Sequence, residues 1–277
     1  KLLYNVHMDF IQPIFVNQTS DIVQGKLGPD NASFPLQKIN DAIQKDIDVG
    51  VEDFLLFVTP DKKTNTPDWK FQSDVVSHIK SKFNKQINLA VDVCMCSTTL
   101  DGHCCILDKP QTTQALFIDL GRKLKQAGAD ILAPSDMQKD TVKNLKIETQ
   151  LPILSYIKFR SNFYSSFRDL ANSTPSSERF YQISVADPHS AKIIASQYDK
   201  DGADYLMLKP GMTTIDLISM IKCNTYKPVG VYQVSDEYLG LPTDKHLYET
   251  YQIFDRVGCN FMVTYGARKL VTMVSKY

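Results

Sequence analysis

The sequence predicts an α/β protein, a single (β/α)8 or TIM barrel, on three observations. Eight short apolar runs recur along the whole chain, each followed by a polar stretch. Two of the helix-spaced stretches end in the same Gly-bearing joint, and no Gly-x-Gly-x-x-Gly follows any run. That absence weakens the doubly wound sheet, the other α/β architecture of this size. A barrel fills about 250 residues as one domain, and the chain has 277.

In order, Ile14-Phe15-Val16 is the first run, backed by a helical stretch from Leu36 to Val49. Phe54 to Val58 is the second, with a helix from Phe71 to Phe83. Ile87 to Val93 precedes the helix Thr113 to Gln126, whose end, Gln126-Ala127-Gly128-Ala129-Asp130, puts Gly where a left-handed cap is needed. Ile131-Leu132-Ala133 and Ile153 to Ile157 are the fourth and fifth runs. A long insertion at 160–189, rich in Ser, Arg and aromatics, follows the fifth, as active-site lids do. The repeat resumes with the helix Ser190 to Tyr198 and a second joint, Asp201-Gly202-Ala203-Asp204. Tyr205 to Leu208, the helix Thr214 to Ile221, Val229 to Val234, the helix His246 to Arg256 and Phe261 to Tyr265 complete the set. Runs that are apolar on nearly every residue, rather than alternating, read as strands covered on both faces by helices and barrel interior.

Composition agrees with one ordinary globular domain over 1–277. Apolar residues make up 43% and charged residues 22%, with 31 Lys+Arg against 31 Asp+Glu. Disorder and collagen-like structure are excluded, and zero net charge gives no footprint for nucleic acid or an anionic membrane. No apolar run nears the roughly 20 residues that span a bilayer. The opening Lys-Leu-Leu-Tyr-Asn-Val-His has no signal-peptide apolar core. The expectation is an intracellular, cytoplasmic protein.

Barrel chemistry sits at the carboxyl ends of the strands. Those ends carry Asp92-Val93-Cys94-Met95-Cys96, Pro134-Ser135-Asp136, Lys158, Lys209-Pro210, Ser235 and Thr264-Tyr265. Two lysines closing adjacent buried strands depress each other's pKa through burial and like charge, and a free amine attacks a ketone to give a Schiff base. The spacing Cys94-x-Cys96 and then Cys104, across what reads as an exposed polar loop, offers three thiolates to one zinc and leaves a fourth position open. His103 adjoins Cys104 and is expected behind the ligands rather than among them. Cys105, Cys223 and Cys259 are expected to pack.

These motifs resemble a known family. Asp92-Val-Cys-Met-Cys96, Gly102-His-Cys104, Gly128-Ala-Asp-Ile-Leu-Ala-Pro-Ser-Asp-Met137, Lys158-Phe159, Phe163-Tyr164, Phe167-Arg168-Asp169, Tyr181-Gln182, Gly202-Ala-Asp, Lys209-Pro-Gly211, Tyr232-Gln-Val-Ser235 and Glu237-Tyr238 resemble porphobilinogen synthase, or delta-aminolevulinic acid dehydratase, in family order. The resemblance implies a lyase of tetrapyrrole (heme) biosynthesis that condenses two molecules of delta-aminolevulinic acid. It implies Schiff bases on Lys209 for the first substrate and Lys158 for the second, whose carboxylates Ser235 with Tyr265 and Arg168 with Arg179 and Gln182 would hold. It also implies one catalytic zinc on Cys94, Cys96 and Cys104, with Asp92 and Ser135 beside it; a further magnesium has no support in the sequence. A homo-oligomer is implied too, its order left open because the family's N-terminal arm is not in this sequence.

The sequence departs from the family in four places. One residue, not two, separates Tyr156 from Lys158, which should turn one of them to the other face unless a bulge intervenes. The lid is a residue shorter before Arg179, Lys139-Asp140-Thr141 replaces Asp-Gly-Arg, and Asp236 replaces Gly. A catalytically silent relative serving as an interaction or regulatory subunit, and another Schiff-base aldolase, are the competing readings.

Overall fold

Each of the eight apolar runs is a strand in the computed structural model, which describes residues 8–275. The signal-peptide reading of Lys1 to His7 lies outside the described residues. The strands are β1 (Asp9–Asn17), β2 (Ser33–Pro35), β3 (Asp53–Thr59), β4 (Asn88–Val93), β5 (Ile131–Pro134), β6 (Leu154–Lys158), β7 (Tyr205–Lys209), β8 (Val229–Tyr232) and β9 (Phe261–Val263). The helices are α1 (Leu36–Asp48), α2 (Lys70–Phe83), α3 (Pro110–Ala127), α4 (Thr141–Thr149), α5 (Ser165–Leu170), α6 (Pro188–Lys200), α7 (Ile215–Lys222), α8 (Ser235–Leu239), α9 (Asp244–Arg256) and α10 (Ala267–Val274).

All strands pair in parallel, in the order β5-β4-β3-β1-β9-β8-β7-β6. A single bridge, Leu132 to Ile153, joins β5 to β6 and brings the ring to near closure. The unforeseen short β2 pairs with β1 at Phe15 to Asn17, beyond the stretch that β9 occupies. Continuous apolarity has the expected cause: along β3, Leu55 and Phe57 enter the interior cluster while Phe54 and Leu56 enter the layer under the helices.

The Gly joints set the strand starts. Gly128 (φ 99°) and Gly202 (φ 95°) take the left-handed conformation, and the Asp two residues on accepts from the neighbouring strand's start. Asp130 Oδ2 accepts from Leu89 N at 2.8 Å and Lys80 Nζ at 2.7 Å; Asp204 Oδ2 accepts from Ile153 N at 2.9 Å and Lys146 Nζ at 2.7 Å. A third joint, Gly258-Cys259-Asn260, repeats the device, with Asn260 Oδ1 accepting from Val229 N and Lys222 Nζ, each at 3.0 Å. The sheet is thus registered from the end opposite the reactive residues.

Candidate active site

The β6–β7 ladder runs unbroken from Leu154–Tyr205 to Lys158–Lys209, so the two lysines are register partners at the mouth. Both are buried, at 5% and 3% exposure. The expected turning of Tyr156 or Lys158 away from the interior does not occur. At a separation of two, the period of the strand itself puts both on one face, with Ile157 on the other.

Lys209 Nζ stands among aromatic rings, 4.0 Å from the centroid of Tyr232, 4.5 Å from Phe167 and 5.3 Å from Tyr156. Burial, and then the charge of Lys158, pull its pKa down to about 7. Lys158 Nζ lies 3.4 Å from the Ser135 carbonyl and 4.0 Å from Cys104 Sγ. Asp92 closes the same space; burial pushes its carboxyl up to about 6, against the pull of Lys158 and a hydrogen bond from Ser135, and Oδ1 has no partner.

The sulfurs of Cys94, Cys96 and Cys104 lie within 4.8 Å of one another. Tetrahedral zinc with bonds of about 2.3 Å sets sulfurs about 3.8 Å apart, so the three thiols fit a metal. No fourth His, Cys, Asp or Glu joins the group among the described residues. Hydrogen bonds from Cys94 and Cys96, with the charges of Lys158 and Arg179, hold the Cys104 thiol well below its ordinary range; burial pushes Cys94 up. Contrary to the expectation of exposed loop thiols, Cys96 and Cys104 are buried and Cys94 half-buried, because the lid covers the loop. Cys105 and Cys259 pack as expected, whereas Cys223 is exposed at the end of α7.

Of the residues on the lid, Gln182 is buried with neither side-chain Nε2 nor Oε1 partnered. Arg168 lies 5.3 Å over the Tyr164 ring, donates to Ser161 O at 3.4 Å and leaves Nε without a partner. Burial, and then Arg179, lower its pKa. Arg179 Nη2 donates to the Gly102 and Ser173 carbonyls at 2.5 and 2.7 Å, and its Nε is also unpartnered. On the opposite side, the Tyr265 and Tyr232 hydroxyls pair at 3.2 Å. The buried Ser235 hydroxyl donates to Asp236 Oδ1 at 2.9 Å, lies 3.3 Å from Phe163 O, and accepts from Phe167 N at 3.2 Å.

Sequence reasoning missed three contributors. The ring wall of Tyr156, Phe167 and Tyr232 was visible only as apolar strand and lid residues. Glu237 accepts from Gly211 N and Thr213 N at 3.1 Å and Val234 N at 3.0 Å, fixing the loop after Lys209 to the loop after β8; only its place in a motif marked it. Asp236 accepts from Ser165 Oγ (2.6 Å), Ser165 N (3.2 Å) and Ser166 N (3.4 Å), anchoring the start of α5.

The family model described as delta-aminolevulinic acid dehydratase matches residues 5–273. The delta-aminolevulinic acid dehydratase of Helicobacter pylori is 30% identical over 97% of this chain and 92% of its own length. That of Archaeoglobus fulgidus is 28% identical over 95% and 89%. The crystal structure of delta-aminolevulinic acid dehydratase (porphobilinogen synthase) from Toxoplasma gondii, in complex with the reaction product porphobilinogen, superposes with a TM-score of 0.90 at 24% identity over 97% of this chain and 86% of that one. A dihydropteroate synthase from Yersinia pestis shares the fold at a TM-score of 0.61 and 11% identity, over 99% and 94%.

Proposed function

The chain belongs to the delta-aminolevulinic acid dehydratase family, and from that membership we propose that it condenses two molecules of delta-aminolevulinic acid into porphobilinogen, the lyase step of heme biosynthesis. The observation that carries this reading is the register pairing of two buried lysines, one beside a three-thiol cluster. A one-lysine aldolase needs neither the second lysine nor the thiols.

Lys209 takes the first substrate and Lys158 the second. Each amine adds to a substrate ketone and releases its oxygen as water, which accounts for both waters lost. The new carbon–carbon and carbon–nitrogen bonds then consume the two imine carbons and return both amines. A Lys209 pKa near 7 leaves much of the amine unprotonated at neutral pH. The rings around it exclude the water that would hydrolyse an imine. Arg168, Arg179 and Gln182 hold the second carboxylate, a guanidinium being suited to a carboxylate; Ser235 and Tyr265 hold the first. Cys94, Cys96 and Cys104 bind zinc, which would supply Lewis-acid polarisation of the second substrate's amine or carbonyl oxygen. Asp92 and Ser135 flank that position.

A cytoplasmic location suits thiols that must stay reduced. No helix among the described residues is long and apolar enough to cross a membrane. The homo-oligomer rests on the family resemblance, and light scattering tests it. The decisive assay incubates the reduced, zinc-loaded protein with delta-aminolevulinic acid and measures the pyrrole product. Pyrrole formation that disappears in Lys209→Met is expected; no pyrrole from the parent protein overturns the reading.

A further inference from the structure

We propose that Tyr181 is a positioning residue that ties the third thiolate of the cluster to the lid, so that metal binding and lid closure reinforce one another. The proposal rests on the reading of Cys94, Cys96 and Cys104 as metal ligands.

The Tyr181 hydroxyl accepts from the backbone N–H of Cys104 at 2.9 Å and lies 3.2 Å from His103 Nδ1. One hydrogen bond joins the phenol and Nδ1, and the Cys104 side chain is a further hydrogen-bond partner of the same hydroxyl. The other ring nitrogen, Nε2, pairs with Ser177 Oγ at 2.9 Å. The chain of hydrogen bonds therefore leaves the cysteine loop, crosses to the lid, returns and crosses again. It also occupies both ring nitrogens, which is why His103 stands outside the thiol cluster.

The same two segments meet elsewhere. Ser176 N donates to Asp101 O at 2.8 Å, and Arg179 Nη2 donates to Gly102 O. At Gly102 (φ 69°) a Cβ would stand 2.2 Å from Thr174 O, so the loop and lid backbones are in direct contact. One residue beyond Tyr181, Gln182 carries its unpartnered amide in the buried space. Whatever fixes Cys104 thereby fixes the lid at the base of Gln182, and by linkage whatever closes the lid tightens the metal.

The test uses the full-length, reduced, metal-free protein with cobalt(II) alone as probe. It reads thiolate-to-cobalt charge-transfer absorption, cobalt release to a chelator, and hydrogen exchange of residues 173–182 with and without cobalt. The parent should show the absorption and gain protection in the lid. Tyr181→Phe, which removes the bonds to Cys104 N and His103 Nδ1 together, should keep the absorption, release cobalt at least about tenfold faster, and lose the cobalt-dependent protection. The loss of melting temperature on Tyr181→Phe should be larger with cobalt bound than without it, a difference that a merely structural role would not give. Ser177→Ala, removing only the far end of the relay, should move release and protection in the same direction by less, and carries the test should Tyr181→Phe not fold. Parent-like release and protection in these variants overturn the proposal. Absence of the absorption in the parent overturns the metal reading itself.

Discussion

At Lys209 two opposed effects meet. The rings of Tyr232 and Phe167 favour an ammonium at about 4 Å, yet burial and the second ammonium of Lys158 win and bring the pKa to about 7. Only the free amine attacks a ketone, so imine formation at Lys209 should fall about tenfold per pH unit below that value and level off above it. Borohydride trapping of substrate mass at this residue, as a function of pH, measures it; Lys158→Met removes a positive neighbour and should move the inflection upward. A profile unchanged by Lys158→Met would show that the lysines do not sense each other. Gln182 offers a different balance. Its two polar atoms are buried without partners, an arrangement that costs folding free energy unless a ligand uses them. Gln182→Leu should therefore leave the melting temperature equal or higher while raising the KM for substrate several-fold. A lower melting temperature with unchanged KM would assign Gln182 to the core instead.

At the scale of elements, the three Gly joints show how a helix end can specify the neighbouring strand. Asp204→Ala should strip Ile153 N of its acceptor, leave Lys146 Nζ with the Leu151 carbonyl alone, and cost about 1 kcal/mol by denaturant titration. Two of these joints were readable from Gly-Ala-Asp, and all eight strands from runs of residues buried on both sides. The elements that escaped are short or supported by residues distant in the sequence. Of the nine residues of α4 only Val142 and Leu145 are both apolar and buried, the other buried positions being Thr141 and Thr149, so the sequence shows no strong apolar period. The six residues of α5 form against Asp236 and Ser235, partners about seventy positions away. Lys158, Lys209 and the three cysteines were legible because strand ends and Cys spacing are local properties. The ring wall and the Tyr181–His103 relay were not, since they exist only once lid and loop meet. Asp236, an unexplained departure in the sequence, is accounted for as the anchor of α5. Asp236→Ala should raise hydrogen exchange across residues 163–171 and leave the barrel strands unaffected; equal protection would mean that Tyr164 and Phe167 hold the lid by packing alone.

Across the whole molecule, the cysteine loop and the barrel are stabilised by different things. The ring of strands forms without any residue of the loop between β4 and α3 being part of the ladder, and of the loop's apolar residues Met95 enters the outer apolar layer and Ile106 packs against it. Removing a metal from the thiols should therefore not unfold the barrel, unlike a small domain whose core is its metal site. Binding still contributes by mass action, about 2.7 kcal/mol when free zinc is a hundred times its dissociation constant. For a chain of this size, with roughly 2–4 °C per kcal/mol, chelation under reducing conditions should lower the melting temperature by about 5–10 °C while the far-ultraviolet dichroism of the native state stays the same. The expected loss of protection lies in the loop around Cys104 and in the lid bonded to it, with β6 and β7 unchanged. Collapse of the whole dichroism spectrum on chelation would show that the loop is part of the folding core and that barrel and site are not separable.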